Sequence, residues 1–295
     1  MHSQRARTAV VTGAGSGLGR ELVLGLVRRG YRTFGTAVSA AEVDEVAALT
    51  DGHATLTVCD VTDPSAVTDF AAAVSSQVAD QGLSLLISNA ATITPGPLEV
   101  LPIDAIRREF EVNVFGGLSM INALLPALRR SSSRARIIQI GTRASRFPTP
   151  YNGPCAASKA AMNIFADVYR AELHTSNVDV VVAVVGGMRT SGFASVVTQL
   201  QTVLESLDES QRDRYASSLT AFARRVRAGH ASALSAAEAA QRVIELAEQV
   251  PAPIEVSIGI EAEQAVASAR TLTGAELHHR RLEMIGLRDQ PVKPG

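Results

Sequence analysis

Short apolar runs alternate with longer amphipathic stretches along most of the chain, and this alternation limits the fold more than any other feature. The runs are rich in β-branched residues and too continuously apolar for a sheet with one wet face, so they predict buried parallel strands. Six such runs lie at residues 8–12, 33–37, 54–59, 83–88, 136–140 and 178–185, and a last one lies at 254–258.

Helical patterns fill the gaps between these runs, at residues 17–30, 40–49, 64–81, 102–130, 155–176 and 236–249. Asp63 before Pro64 is typical of a helix start, because aspartate caps free N–H groups and proline suits the first helical position. Strands that alternate with helices are joined by right-handed crossovers. The sequence therefore predicts an α/β fold, a doubly wound parallel sheet with helices on both faces.

The stretch 191–230 is helical by pattern and adds no strand, so it predicts a helical lid inserted before the last strand. No repeat, linker or low-complexity segment interrupts the chain, and residues 1–295 are predicted to form a single domain. A lid of this length favours a bulky substrate. A lid that only packs or mediates dimerisation is the alternative.

Composition argues against several classes of function. The formal net charge is −1, which gives no field to attract nucleic acid or an anionic membrane. No run approaches the roughly 18 apolar residues of a membrane span, and the N-terminus lacks the apolar core of a secretion signal. The only cysteines, Cys59 and Cys155, predict a reduced, cytoplasmic location, and the scattered histidines argue against a metal site.

A glycine-rich string, TGAGSGLG at residues 12–19, directly follows the first strand and opens the first helix. A tight turn needs residues without Cβ, and a pyrophosphate must approach backbone N–H groups at the positive end of a helix. In the context of strand, turn and helix, the string predicts a dinucleotide site.

The spacing TGxxxGxG resembles the short-chain dehydrogenase/reductase family, and further matches follow in the family's order from residue 8 to residue 190. Asp60-Val61 resembles the adenine-contacting pair, and 88–91 (SNAA) the NNAG motif. Asn113 falls at the family's active-site asparagine and Ser158-Lys159 in its SK segment, while 185–190 (VGGMRT) resembles PGxxxT. The resemblance implies a Rossmann-type fold.

The resemblance also implies which residues bind the cofactor: Gly13, Ser16, Gly17, Leu18, Gly19, Ser39, Asp60, Val61, Asn89, Ala90, Lys159, Gly186 and Thr190. An acid at the end of the second strand would bond the ribose 2′-hydroxyl and favour NAD. Residues 36–39 (TAVS) hold no acid, and Ser39 can donate to a 2′-phosphate. We therefore expect NADP(H) rather than NAD(H), although the basic residue common in NADP enzymes is also absent.

This chain matches the family's catalytic residues only in part. Counting back four residues from Lys159 places Cys155 where the family has its proton-donating tyrosine, and thirteen more place Thr142 at its serine. The candidate catalytic residues are therefore Asn113, Thr142, Cys155 and Lys159, together with Tyr151 as a displaced acid. A buried structural role for Cys155 and a packing role for Tyr151 are the alternatives.

General acid catalysis contributes about 10²–10⁴-fold and positioning about 7–11 kcal/mol, so reduction without the tyrosine remains feasible. The sequence predicts an NADP(H)-dependent ketoreductase for a bulky, polycyclic or aromatic ketone, with an unusual or substrate-assisted proton source. A silent cofactor-binding subunit, a redox sensor, and dehydration or aldol chemistry on the same fold are alternatives. By resemblance, helices 102–130 and 155–176 would assemble a homodimer or homotetramer.

Overall fold

A computed structural model describes residues 7–79 and 81–287. Seven strands form one parallel sheet in the order β3-β2-β1-β4-β5-β6-β9, and β7 pairs with β8 apart from it. The strands are β1 (Thr8–Val11), β2 (Arg32–Ala37), β3 (Ala54–Val58), β4 (Leu85–Ser88), β5 (Ala135–Thr142), β6 (Val178–Val185), β7 (Met188–Arg189), β8 (Leu234–Ser235) and β9 (Glu255–Ile258).

The helices are α1 (Gly17–Arg28), α2 (Ala40–Leu49), α3 (Pro64–Gln77), α4 (Ile103–Phe110), α5 (Gly117–Arg129), α6 (Gly153–Glu172), α7 (Ser191–Ser206), α8 (Glu209–Ser232), α9 (Ala236–Glu248), α10 (Ile260–Thr271) and α11 (Gly274–Met284). A π-helical turn, Glu111–Gly116, joins α4 to α5. The helix predicted at 102–130 therefore contains a change of helical pitch in its middle, and the helix predicted at 64–81 ends at Gln77.

The sheet separates two apolar cores, which confirms the doubly wound architecture. Leu22 of α1 and Val243 of α9 belong to the core on one face, while Leu124 of α5 belongs to the core on the other. Along β1, Val10 faces one core and Val11 faces the other, because successive side chains of a strand point to opposite faces. Both faces are dry along the central strands, which are therefore continuously apolar, whereas the edge strand β3 exposes Thr55, Thr57 and Val58.

Short polar residues begin the helices that follow the strands. The Asp63 side chain accepts from the N–H groups of Ser65 and Ala66, with Pro64 in the first turn, which confirms the predicted helix start. Ser39 accepts from the N–H group of Glu42 and so caps α2. Because these caps satisfy N–H groups that a helix leaves free, they fix where α2 and α3 leave the carboxyl edge of the sheet.

The predicted lid is present as the helical pair α7 and α8, which packs on a third apolar cluster. Leu200 and Phe222 of the lid meet Phe147 and Met284 of the body there. Sequence analysis did not predict the pair of short strands at the base of this lid. The two-residue strands β7 and β8 pair at its base, where so short a ladder gives no period for sequence analysis to detect.

One helical run of the described residues, Ile103–Arg129, is long and apolar enough to cross a membrane, and half of its most apolar window is buried in the protein. Its buried side chains, among them Met120, Leu124 and Leu128, pack in the core beside the sheet. The run is therefore a core helix of this fold.

Candidate active site

The glycine-rich turn lies between β1 and α1 in a shape that side chains would obstruct. Gly13 has a φ of +62°, and a Cβ there would lie 2.9 Å from the Cα of Ala90. A Cβ on Gly19 would lie 1.9 Å from the carbonyl oxygen of Gly13. Ser16 precedes α1 without a side-chain capping bond, and the first turn of α1 carries no acid. These residues fit a dinucleotide diphosphate, because the first N–H groups of α1 remain available to an anion.

A threonine–asparagine pair locks the turn to the neighbouring strand. The Thr12 hydroxyl accepts from the N–H groups of Asn89 and Ala90, at 2.9 and 3.0 Å. The Asn89 side-chain amide donates to the carbonyl groups of Thr12 and Gly13, at 2.9 and 3.1 Å. The bonds hold the ends of β1 and β4 together. Thr12 was not among the predicted site residues, although its place before the first glycine was a usable signal.

The other predicted cofactor residues lie along the same edge. Asp60, after β3, accepts from the N–H and hydroxyl groups of Thr62. Val61 is buried against Gly116, where a Cβ would lie 2.7 Å from the valine Cγ2. Thr190 lies 3.7 Å from the position of a Cβ on Gly17.

The sequence did not reveal an acid that the fold brings to the end of β2. Residues 36–39 hold none, but Oε2 of Glu42 accepts from the Val38 N–H group at 3.0 Å. A Cβ on Gly15 would lie 2.3 Å from the same oxygen. Sequence analysis therefore missed a negative charge near Ser39, because α2 folds the carboxylate of Glu42 back over the loop. Ser39 accepts at 3.3 Å from Glu42 N–H and keeps its own hydrogen to donate.

Asn113 lies in the π-helical turn, a distortion that is frequent at functional sites. Its Oδ1 accepts from the Thr92 N–H group at 2.8 Å. Its Nδ2 lies near three acceptors: the carbonyl oxygen of Thr92 at 3.0 Å, Oγ of Ser158 at 3.0 Å and Oε1 of Glu109 at 3.3 Å. Asn113 thus ties the long helix to α6 and to the loop after β4.

Lys159 and Cys155 lie on the first turns of α6, one above the other. Nζ of Lys159 donates to the Ile140 carbonyl at 3.0 Å, and burial lowers the pKa of this lysine. Burial raises the pKa of the Cys155 thiol to about 11, with a further contribution from Glu109. The cysteine therefore carries its proton at neutral pH. Thr142, at the end of β5, caps the short 3₁₀ turn Arg143–Ser145.

Glu109 is a buried acid of this cluster that sequence analysis missed. Its side chain has no exposed surface, and Oε2 has no hydrogen-bond partner among the described residues. Burial raises the pKa of Glu109 to about 7, although Thr94 and the charge of Lys159 act against the shift. The signal was weak, because Glu109 is one of several charged residues on an amphipathic helix.

The side chain of Tyr151 contacts the lid. It has a φ of +60°, and its hydroxyl is 2.6 Å from Oγ of Ser218 in α8. Its ring packs edge-on against Phe222, with centroids 5.6 Å apart. Tyr151 therefore holds the lid to the body, which favours the packing role.

A cavity of about 1200 Å³ extends from Leu18, at the start of α1, past Cys155 and Lys159 to the lid. Of the predicted residues, it is lined by Leu18, Asn89, Thr142, Tyr151, Cys155, Lys159, Gly186 and Thr190. Gly13, Ser16, Gly17, Gly19, Ser39, Asp60, Val61, Ala90 and Asn113 lie outside its lining. Among the described residues, no group of three or more histidine, cysteine or acidic side chains is placed to hold a metal ion.

Comparison with known proteins identifies the same family as the sequence motifs. The family model described as "short chain dehydrogenase" matches residues 7–201. The "NADPH-dependent 3-dehydrocapnine reductase" of Ornithobacterium rhinotracheale is 31% identical over 62% of this chain and 66% of its own length, just under two thirds. The chain spans 54% and 74% of the length of two further curated relatives.

Two solved structures share the fold over nearly the whole chain. A short-chain dehydrogenase from Streptomyces avermitilis superposes with a TM-score of 0.75 at 20% identity, covering 98% of this chain and 100% of that one. A short chain dehydrogenase from Burkholderia cenocepacia in complex with NADP has a TM-score of 0.71 at 26% identity, covering 94% and 98%.

Glu109→Gln should stabilise the protein at about pH 8 and change its stability little below about pH 5. Burial raises the pKa of Glu109 from 4.5 to about 7, so folding favours the protonated carboxyl, and the wild type loses stability as pH rises through this range. The difference in the free energy of unfolding is at most about 3 kcal/mol. Urea unfolding at both pH values measures it, with the exposed Glu111→Gln as control. An equal effect at both pH values would contradict the ionisation of a buried Glu109.

Proposed function

The chain belongs to the short chain dehydrogenase family, and from this premise we propose that it is an NADP(H)-dependent ketoreductase. One observation carries the proposal. Leu18, in the uncapped first turn of α1, and the buried Lys159 both line one cavity. A dinucleotide bound on the turn can therefore reach the cluster around Lys159, where a carbonyl group would be reduced.

NADP(H) is supported by the relatives and by the loop after β2. One relative is named as NADPH-dependent, and one structural neighbour was solved in complex with NADP. Ser39 offers a hydroxyl hydrogen at this loop. Glu42 acts against the phosphate, so the proposal requires its carboxylate to weaken NADPH binding rather than to exclude it.

The chain's own residues supply positioning and a proton. NADPH, when bound, supplies the hydride. By resemblance, Lys159 holds the nicotinamide ribose, and Thr142 donates to the carbonyl oxygen of the ketone. Cys155 lines the cavity and keeps its proton, so we assign it as the acid that protonates this oxygen. A phenol beside the ketone of the substrate would be the substrate-assisted alternative.

The cavity suits a bulky, partly apolar ketone. Its volume of about 1200 Å³ exceeds the ~300–1,000 Å³ of common small-molecule sites. Aromatic side chains line its lid side, namely those of Phe147, Tyr151 and Phe222. These rings favour a substrate with one or more aromatic rings.

A homo-oligomer is supported by apolar side chains on the surface of two helical segments. Phe115, in the π-helical turn, is 53% exposed, and Ile164 on α6 is 62% exposed. Phe165 and Val168 of α6 are exposed beside it. Contiguous exposed apolar residues mark association surfaces, and these lie on the segments for which assembly was predicted.

Cys155→Ala should lower kcat by at least about 10²-fold, while Tyr151→Phe should change it by less than about threefold. The reason is that the cysteine borders the reaction cluster, whereas the tyrosine hydroxyl bonds the lid. NADPH oxidation with a panel of phenolic polycyclic ketones identifies the substrate and then compares the variants. Loss of turnover in Tyr151→Phe alone would contradict the assignment, and full activity in both would indicate a proton from the substrate.

Glu42→Gln should tighten NADPH binding by about three- to tenfold and change NADH binding less. A unit charge about 4 Å from a phosphate costs about 1 kcal/mol in water. Fluorescence titration of both dinucleotides gives the two dissociation constants. Weaker NADH binding by the variant, with NADPH unaffected, would show instead that Glu42 binds the ribose and that the enzyme uses NAD(H).

Ile164→Glu should dissociate the oligomer, because a charge on the apolar face of α6 would be buried unpaired in the interface. Sedimentation measures the mass, and Leu49→Glu, at a 52% exposed position of α2, is the matched control. A monomeric wild type, or an oligomer unchanged by Ile164→Glu, would contradict this interface.

A further inference from the structure

The end of the cavity that α8 and α11 line, here called the lid end, carries positive charge that the proposed reaction does not use. Four basic and two acidic side chains line the cavity as a whole, whereas the chain has a formal net charge of −1. The basic residues are Lys159, Arg143, Arg225 and Arg280, and the acidic residues are Glu261 and Glu283. A cleft with an excess of one sign of charge concentrates ligands of the opposite sign.

Two of the four basic residues have roles or partners at the other end of the cavity. The proposed function assigns Lys159 to the nicotinamide ribose. Nε of Arg143 lies 3.3 Å from Oε2 of Glu261, and the same oxygen accepts from the Gly187 N–H group at 3.0 Å. Glu261 therefore neutralises Arg143 beside the loop after β6. This leaves the two arginines of the lid end.

Helical spacing places Arg225 on the cavity face of α8. Phe222, Val226 and Gly229 line the cavity with it, and residues three, four and seven positions apart share one face of a helix. Phe222 lies one turn before Arg225, and its ring packs on that of Tyr151. The aromatic part of the cavity therefore adjoins this guanidinium. Within the described part of the chain, Arg225 has no ion pair or hydrogen bond.

A second guanidinium, that of Arg280, comes from α11. Glu283 and Met284 line the cavity with it at the same helical spacing. The helices α11 and α8 meet in the third apolar cluster, which contains Met284 and Phe222. Nη1 of Arg280 donates to Oγ of Ser268 at 2.7 Å. This bond holds one side of the guanidinium to a neutral partner, so its charge is still available to a ligand.

The charge at the lid end suits a carboxylate. Two arginines and one glutamate, Glu283, give it a net charge of +1, which matches one carboxylate better than a doubly charged phosphate. A planar guanidinium binds a carboxylate through two parallel hydrogen bonds. Both arginines are exposed, so they lie where the cavity opens to water. A carboxylate bound there stays partly hydrated, which avoids most of the cost of burying an ion pair.

We propose that the substrate is an aryl ketone that carries a carboxylate, and that Arg225 and Arg280 bind this carboxylate at the mouth of the cavity. The inference rests on the proposed ketoreductase function and names its substrate class. The aromatic ring lies among Phe147, Tyr151 and Phe222, and the ketone reaches the reaction cluster. The two arginines thus determine specificity without contact with the bonds that change.

The cofactor's phosphates do not account for these arginines. The diphosphate fits the glycine-rich turn before α1, and a 2′-phosphate belongs at the loop after β2, beside Ser39. Ser39 lies outside the lining of the cavity, and neither phosphate site is on α8 or α11. Substitution of either arginine should therefore leave the affinity for NADPH unchanged, which fluorescence titration checks.

The test uses aryl ketones whose carboxylate is separated from the ketone by two to eight methylene groups, each compared with its primary amide. NADPH oxidation gives kcat/KM for both members of each pair. The wild type should prefer the best acid over its amide by about 10- to 100-fold, because a hydrogen bond between charged groups contributes on this scale. Arg225→Gln and Arg280→Gln should each lower this preference by at least about fivefold. Arg224→Gln, on α8 but outside the cavity lining, is the matched control and should keep the preference.

The outcomes separate the inference from the proposed function. Equal kcat/KM for acids and amides in the wild type overturns the carboxylate site and leaves a ketoreductase. A preference for the acid that both glutamine variants retain overturns the assignment of the arginines. If the wild type reduces neither these ketones nor the phenolic polycyclic panel, the proposed function is overturned.

A binding measurement decides the inference without turnover. Phenylhexanoate, which has no ketone to be reduced, is titrated by calorimetry into the protein with NADPH. Its affinity should exceed that of phenylhexanamide by about tenfold or more in the wild type, and Arg225→Gln should remove most of this difference. No binding of the acid, or equal affinities of acid and amide in the wild type, overturns the proposal even if a variant does not fold.

Discussion

The close approach of two backbones at the end of β1 is the constraint on which the site depends. Thr12 and Asn89 tie β1 to β4, and the path is open only because Gly13 and Gly19 have no Cβ. These hydrogen bonds orient the start of α1 toward the cavity. Since backbone N–H groups at a helix start attract anions, one steric requirement fixes both the topology of the edge and the place that we propose for the cofactor's phosphates.

The reaction cluster depends on a second constraint, the burial of polar groups between the long helix and α6. The π-helical turn brings Asn113 round to Ser158 and to the loop after β4. The same geometry buries Glu109 and Lys159 near one another without an ion pair between them among the described residues. Their proton affinities therefore follow from burial more than from contact. Burial thus keeps the Cys155 thiol protonated at neutral pH.

Sequence analysis predicted most of the fold because its signals are local. Strands dry on both faces are continuously apolar, and Asp63 with Pro64 marks a helix start within two residues. Sequence analysis proposed site residues where a motif fixes the position, as at Gly13 or Lys159. It missed residues that only tertiary packing brings to the cavity and its surroundings. Glu109 becomes part of the site only because α4 is buried against α6, and Tyr151 meets Ser218, 67 residues away, only in the folded lid.

The central claim is that this cleft moves a hydride from NADPH to a ketone without a tyrosine as acid. The direct measurement is a single turnover with NADPH deuterated at C4 of the nicotinamide, with the enzyme in excess over the ketone found in the screen. We expect deuterium on the carbinol carbon of the product in the wild type, and none when Lys159→Met replaces the wild type. NADPH that binds while every ketone remains unlabelled would contradict the account and leave a cofactor-binding protein of the same fold.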